Sequence, residues 1–192
     1  MMNARQRLVK AQLMDAEALN RTLDRMAQQI IESLPPVDAR RLALVGMQTR
    51  GVFLAERLRQ KIWEMEGVDV DFGVLDATFY RDDVRVRLRQ PVVRKTDIRF
   101  DVNRAHIVLV DDVFYTGRTA RAALDALLDL GRPASVRLLV LIDRGLRELP
   151  LHADLVGRYV PTTSGEGVRV RLRECDAHEG VWLVEVPVSD SP

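Results

Sequence analysis

The chain has 192 residues, a single cysteine and a formal net charge of +1, with 47% apolar and 30% charged residues. This balance suits one α/β domain with a real core, and it excludes an internal disulfide, a cysteine-built metal cluster and nucleic-acid binding by bulk charge alone. No apolar run is long enough to cross a bilayer and no apolar signal segment opens the chain, so a cytoplasmic protein without membrane contact is expected.

Asp15 caps a predicted helix in which Leu19, Leu23, Met26, Ile30 and Leu34 share one face, while Arg21, Asp24, Arg25 and Gln28 lie nearer solvent. Pro35 and Pro36 end it. Residues 41–45 read as a strand and 52–63 as the next helix, leaving Thr49, Arg50 and Gly51 in the turn between them. A strand near 69–76 precedes a polar, arginine-rich stretch over about 79–99, too irregular for a core element and long enough to be functional or disordered. Residues 107–110 have the length and β-branching of a buried parallel strand. Ala120, Ala123, Leu124, Leu127 and Leu128 then recur at helical spacing until Gly131 and Pro133. Residues 136–142 form another buried strand, and 168–173 alternate Val168, Val170 and Leu172 against Arg169, Arg171 and Arg173, as a half-exposed strand does. Alternating strands and helices imply an α/β fold with a mainly parallel twisted sheet flanked by helices, and 1–192 read as a single domain.

The richest chemistry lies in residues 107–119. Asp111 and Asp112 follow the strand, at the edge where open α/β sheets bind ligands. Residues 116–119 surround a helix N-terminus, where backbone N–H groups and the macrodipole favour an anion. Carboxylates repel phosphate but accept hydrogen bonds from the vicinal hydroxyls of a ribose. Thr116, Thr119 and the backbone around Gly117 can donate to a 5′-phosphate. One strand-turn-helix could thus grip both ends of a ribose 5-phosphate. Spacing alone also allows a threonine cap with two solvated aspartates, and Thr49-Arg50-Gly51 by itself reads as an ordinary turn. His106, His152 and His178 show no metal-ligand spacing. The basic residues are nearly all arginine, with Lys10, Lys61 and Lys95 the only lysines, and planar bidentate donors suit phosphate. No glycine-rich turn ends in Lys-Ser or Lys-Thr, which excludes a P-loop.

Residues 110–119, Val-Asp-Asp-Val-Phe-Tyr-Thr-Gly-Arg-Thr, resemble the phosphoribosyl pyrophosphate (PRPP) motif of type I phosphoribosyltransferases. Three further segments follow a matching order and spacing: Gly46-Met47-Gln48-Thr49-Arg50-Gly51, Phe79-Tyr80-Arg81-Asp82-Asp83, and Asp143-Arg144-Gly145-Leu146-Arg147-Glu148-Leu149-Pro150. Together they resemble the pyrimidine-operon attenuation regulators that are also uracil phosphoribosyltransferases, over about 14–186 of the chain. The resemblance implies a type I phosphoribosyltransferase fold with a small hood drawn from the N-terminal segment and about 162–188. It implies transfer from PRPP to uracil, giving UMP and pyrophosphate, with Mg²⁺ carried by PRPP and water and no direct protein ligand.

Asp111, Asp112 and Arg81 are the catalytic residues it suggests. Thr49, Arg50 and Gly51 would hold pyrophosphate, in the family often through a cis peptide. Asp111, Asp112, Val113, Phe114, Tyr115, Thr116, Gly117, Arg118 and Thr119 would hold the ribose phosphate, and Arg144 and the backbone at Val168 would lie near the base. The loop over about 79–99 would close over the reacting centre, with Arg85, Arg87 and Arg89 read as a solvated alternating face.

Binding of pyrimidine operon leader mRNA, controlled by UMP or UTP, would use Arg21, Arg25, Arg147, His152 and Arg158. Asp24, Gln28 and Leu146 depart from the hydroxyl or histidine of RNA-binding relatives, and an aspartate facing RNA phosphate is repulsive. A homodimer or homotetramer is implied. The alternatives are a nucleotide-sensing RNA regulator with weak catalysis, an enzyme that has lost RNA binding, and a purine phosphoribosyltransferase.

Overall fold

Residue alternation inside the apolar strands decides the architecture. The computed structural model describes residues 8–33, 41–77 and 96–186. Leu34, Pro35, Pro36, the segment Phe79-Tyr80-Arg81-Asp82-Asp83, and Arg85, Arg87 and Arg89 lie outside the described residues. The elements are β1 (Val9–Met14), α1 (Ala16–Glu32), β2 (Leu42–Met47), α2 (Arg50–Glu66), β3 (Asp71–Leu75), β4 (Asp97–Ile98), β5 (His106–Phe114), α3 (Arg118–Leu128), β6 (Ser135–Asp143), β7 (Leu155–Tyr159), β8 (Glu166–Arg171) and β9 (Gly180–Glu185).

Among the described residues, six strands form one sheet in the order β4-β3-β2-β5-β6-β7, parallel throughout except for β4. Leu42, Leu44, Val108, Val110, Leu139 and Leu141 point to one face and pack with Leu19, Leu23, Met26 and Ile30 of α1 and Leu54 and Leu58 of α2. Their neighbours Ala43, Val45, Ile107, Leu109, Leu138 and Val140 point to the other face, against Ala120, Ala123 and Leu127 of α3. Strands covered on both sides need no polar face, hence the unbroken apolar runs. Asp15 caps α1 as expected, its Oδ1 accepting from Ala18 N at 2.7 Å.

Several boundaries differ from the sequence reading. β5 runs on to Phe114 because Val113 and Phe114 pair with Ile142 and Asp143, so Asp111 and Asp112 lie within the strand rather than after it. α2 extends to Glu66, where Gly67 at φ +64 supplies the left-handed ending. Part of the expected loop over 79–99 is strand: β4 adds to the sheet edge beside β3. A second, antiparallel sheet has the order β1-β9-β8. Its arginines Arg169 and Arg171 are half-buried rather than exposed.

Two close approaches seat α2. A Cβ on Gly46 would lie 2.4 Å from the Cα of Val52, and one on Gly51 would lie 2.3 Å from the carbonyl oxygen of Val110. The first turn of α2 therefore rests on the backbone of β2 and β5, and only glycine permits it. Gly51→Ala should lower the unfolding free energy by about 1–3 kcal/mol, as overpacking does, seen as a lower urea midpoint with an unchanged m value. No shift in midpoint would show that the contact relaxes freely.

The small sheet is clasped by Glu166, which accepts from Lys10 Nζ at 2.6 Å and from the N–H and hydroxyl of Thr163 at 2.9 and 3.1 Å. The Lys10 bond first, then the two Thr163 bonds, hold its carboxyl down to about 2, against an ordinary value of 4.5. A carboxyl depressed in the folded state stabilises above its unfolded pKa and loses that contribution as pH falls through the folded one. The clasp is therefore intact above pH 4.5 and lost on the way to about pH 2. Glu166→Gln should flatten this part of the acid-unfolding profile, and a profile superimposable on the wild type would refute the assignment.

Candidate active site

The chain leaves β2 through α2 toward β3, and leaves β5 through α3 toward β6, on opposite faces and in opposite directions along the sheet. Neighbouring strands that diverge in this way open a crevice at their carboxyl ends, where ligands bind in open α/β sheets. The N-cap of α2 is Thr49 and that of α3 is Gly117, at φ +93. Neither makes a side-chain cap hydrogen bond, in contrast to Asp15 on α1. Thr116 Oγ1 meets Arg118 N only at a long 3.4 Å. Two helix starts thus offer donor ends to the same crevice, each favouring an anion. The Gln48–Thr49 peptide is cis.

Between them stand Asp111 and Asp112, both half-buried. Asp111 Oδ1 accepts from Asp112 N at 2.9 Å, and Asp112 Oδ1 accepts from Val113 N at 3.0 Å. Burial pushes the Asp112 carboxyl above its ordinary range, while Asp111, the positive charge of Arg50 and the Val113 N–H pull the other way.

A cleft of about 480 Å³ joins this edge to the small sheet, lined by Arg50, Asp112, Asp176, Ala177 and the consecutive residues Val168, Arg169, Val170 and Arg171. Successive strand residues point to opposite faces. A cleft that touches four in a row runs along the strand's edge. β8 is the outer strand of its sheet, paired only with β9 among the described residues. Its other edge, a row of backbone N–H and C=O groups, therefore borders the cleft.

Sequence reasoning missed Asp176. Its carboxylate takes a forked pair from Arg50, Nε to Oδ2 at 3.1 Å and Nη2 to Oδ1 and Oδ2 at 2.8 and 2.9 Å. Arg57, two helical turns after Arg50, donates to Glu174 at 2.8 Å through both Nε and Nη2 and lies 2.5 Å from Glu179. Arginines seven residues apart on α2, matched by three acids after β8, were the available signal.

The remaining expected residues separate. Arg144 is buried and absent from the cleft lining: Nε donates to Thr162 Oγ1 at 2.9 Å, Nη2 to Glu166 O at 2.5 Å, and the guanidinium lies 3.9 Å from the Tyr115 ring centre. Burial lowers its pKa. Arg118 Nε donates to Glu148 at 2.7 Å.

Among the residues expected to face RNA, Arg147 is half-buried, 3.5 Å over the Phe114 ring and bonded to Tyr115 O and Asp143. Arg21, Arg25 and Arg158 are exposed. Arg25 reaches Gly157 O, beside Arg158, at 2.5 Å. His152 is exposed too, on a separate, mainly apolar cleft of about 260 Å³. Asp24 is paired with Lys61 Nζ at 2.5 Å, which offsets its charge. No helix among the described residues is long and apolar enough to cross a membrane.

Comparison with known proteins agrees with this fold. Solved structures with the same fold include hypoxanthine phosphoribosyltransferase from Trypanosoma cruzi, with a TM-score of 0.69 and 19% identity over 92% of this chain and 97% of that one. Another is hypoxanthine-guanine phosphoribosyltransferase from Bacillus anthracis, with a TM-score of 0.67 and 17% identity over 94% and 99%. Far more similar in sequence are the proteins named bifunctional protein PyrR from Deinococcus deserti, 51% identical over 91% of this chain and 94% of that protein, and from Pelotomaculum thermopropionicum, 53% over 92% and 96%. The phosphoribosyl transferase domain family matches residues 10–170. With half of its residues shared over nearly the whole length, the chain belongs to the phosphoribosyltransferases and, among them, to the family of the bifunctional PyrR proteins.

Proposed function

We propose that this chain transfers the 5-phosphoribosyl group of PRPP to N1 of uracil, and that it also regulates pyrimidine-operon transcription by binding leader mRNA under the control of UMP or UTP. The relatives' designation as bifunctional supports the double reading, as do the motifs around Arg50, Asp112 and Arg144. The observation that carries the enzymatic half is the meeting in one cleft of Asp112, the Arg50 turn and the open edge of β8.

Each part matches a part of the reactants. Asp111 and Asp112 orient the ribose diol, and their fixed backbone bonds hold them ready for it. Thr116, Gly117, Arg118 and Thr119, at the start of α3, take the 5′-phosphate, with Val113, Phe114 and Tyr115 leading into that turn. Thr49, Arg50 and Gly51, at the start of α2, take the pyrophosphate. The backbone at Val168 reads the ring, whose O2, N3–H and O4 alternate acceptor and donor as a strand edge does. Arg144 stiffens the base end through Thr162 and Glu166. As the C1′–N1 bond forms, the bond from C1′ to pyrophosphate breaks and N1 gives up its proton. The protein positions reactants and stabilises the departing anion, with Arg81 as the contact from the loop that closes.

Magnesium fits here as a companion of PRPP. Asp111 and Asp112 provide hard oxygens that would hold it through water and the ribose diol, and among the described residues no group of three or more His, Cys, Asp or Glu could hold an ion unaided. When bound, the ion neutralises charge on the leaving pyrophosphate. The working protein is a cytoplasmic homodimer or homotetramer, each chain a single domain.

The RNA face is drawn from Arg21, Arg25 and Arg158, while His152 lines the separate cleft beside α3. The commitment of Arg147 to Phe114, Tyr115 and Asp143 favours the second reading, an enzyme that has lost RNA binding.

Two measurements test these roles. Asp112→Asn replaces one charge-assisted acceptor of about 1.5–3 kcal/mol, so kcat/KM in a radiolabelled-uracil assay should fall by roughly tenfold to a hundredfold. Hypoxanthine and guanine should not be turned over, and uracil turnover undiminished in Asp112→Asn would remove that residue from the site. In a gel shift with the chain's own operon leader, Arg25→Ala should weaken binding and reduce the log–log salt slope by about one. Uracil turnover with no shifted RNA at low salt would end the regulatory half.

A further inference from the structure

Arg50 opens α2 at the turn read above as the pyrophosphate site, yet its guanidinium is already engaged. The fork that would grip a phosphate grips Asp176, and planar guanidinium recognises carboxylate and phosphate by the same bidentate geometry. Asp176 sits in the turn that follows β8. Its Oδ2 also accepts from Leu172 N at 3.1 Å and from Cys175 Sγ at 3.2 Å, and its own N–H donates to Leu172 O at 2.7 Å. Pulling on Asp176 therefore pulls on the whole turn. Both side chains line the cleft with Asp112 and keep partial contact with solvent, 32% for Arg50 and 18% for Asp176, so an incoming ligand can reach the pair. An anion arriving at the start of α2 meets one carboxylate too many unless the fork changes partner.

We propose that Asp176 is a positioning residue that acts through Arg50: its carboxylate holds the guanidinium in place of the ligand's diphosphate, and diphosphate binding exchanges the two and frees the turn at 172–176. The inference rests on the reading of the Thr49-Arg50-Gly51 turn as a diphosphate site. Asp176 then sets how tightly the leaving group is held. It competes with pyrophosphate on the way in and reclaims Arg50 on the way out.

Calorimetric titration of the full-length protein with inorganic pyrophosphate in magnesium buffer tests the exchange. Asp176→Asn, nearly the same in shape but unable to take a charged fork, should bind about three- to tenfold tighter, the scale of one charged competitor removed. In an Arg50→Ala background the same substitution should change nothing, because the competition runs through Arg50. Equal or weaker binding by Asp176→Asn overturns the exchange, and so does a gain that persists without Arg50, which would be plain charge repulsion. Absence of any pyrophosphate heat in the wild type overturns the diphosphate reading of the turn itself, and this inference with it.

Should Asp176→Asn fail to fold, the wild type supplies its own reporter. Cys175 is the sole cysteine, exposed and bonded to Asp176. Saturating pyrophosphate should speed its reaction with a thiol reagent several-fold as the turn is freed, and an unchanged rate overturns the proposal.

Discussion

The site depends on a backbone contact with no room for a side chain. Gly51, in the first turn of α2, lies against the carbonyl of Val110 in β5, and Gly46 lets Val52 settle on β2. These contacts bring a helix start on one face of the sheet up to the strand that leads into a helix start on the other. Without them the two helices would still cover the sheet, because their apolar faces are broad. Their N-termini would no longer converge. Gly51 was read from sequence as part of an anion-binding turn, and its first duty is steric.

Charge is distributed around this crevice with little left uncommitted. Arg50 and Arg57 hold the turn after β8, Arg144 ties the other end of that strand, at Glu166, to the end of β6, and Arg147 is stacked on Phe114. A near-neutral chain can therefore concentrate positive charge where an anion is handled while its acids keep the arginines ordered. Such pairs, being partly buried, specify geometry more than they stabilise it. Asp112 differs from the other acids here in direction: burial outweighs the pull of Arg50 and raises its pKa, whereas Glu174 and Asp176 are held below their ordinary range.

How much of this was readable beforehand follows from the range of each signal. The face of α1, its Asp15 cap, the buried strands and the acidic pair were legible because each is written in residues a few positions apart. The boundary of β5 was misplaced because two aspartates read as the end of a strand, whereas pairing with β6 carries it on to Phe114. Of the small sheet, β8 showed in its alternation, whereas β1 and β9 left little local trace, since they pair with each other across most of the chain. Asp176 was missed for the same reason: its partner is 126 residues away, and the matching charges on α2 and after β8 do not show by themselves that they meet. Arg147 read as a surface cation because sequence cannot show an aromatic ring lying over it.

The pairing of β1 with β9 also constrains the order in which the molecule can be built. Among the described strands β1 is the first in the sequence and its partner β9 the last. The large sheet, whose parallel neighbours are nearer in sequence, can assemble while synthesis continues, but the roof of the cleft cannot. Contacts that span the whole chain carry the largest loop-closure penalty and form late. Until its partner is available, a strand such as Val9–Met14 has an edge open to a wrong partner.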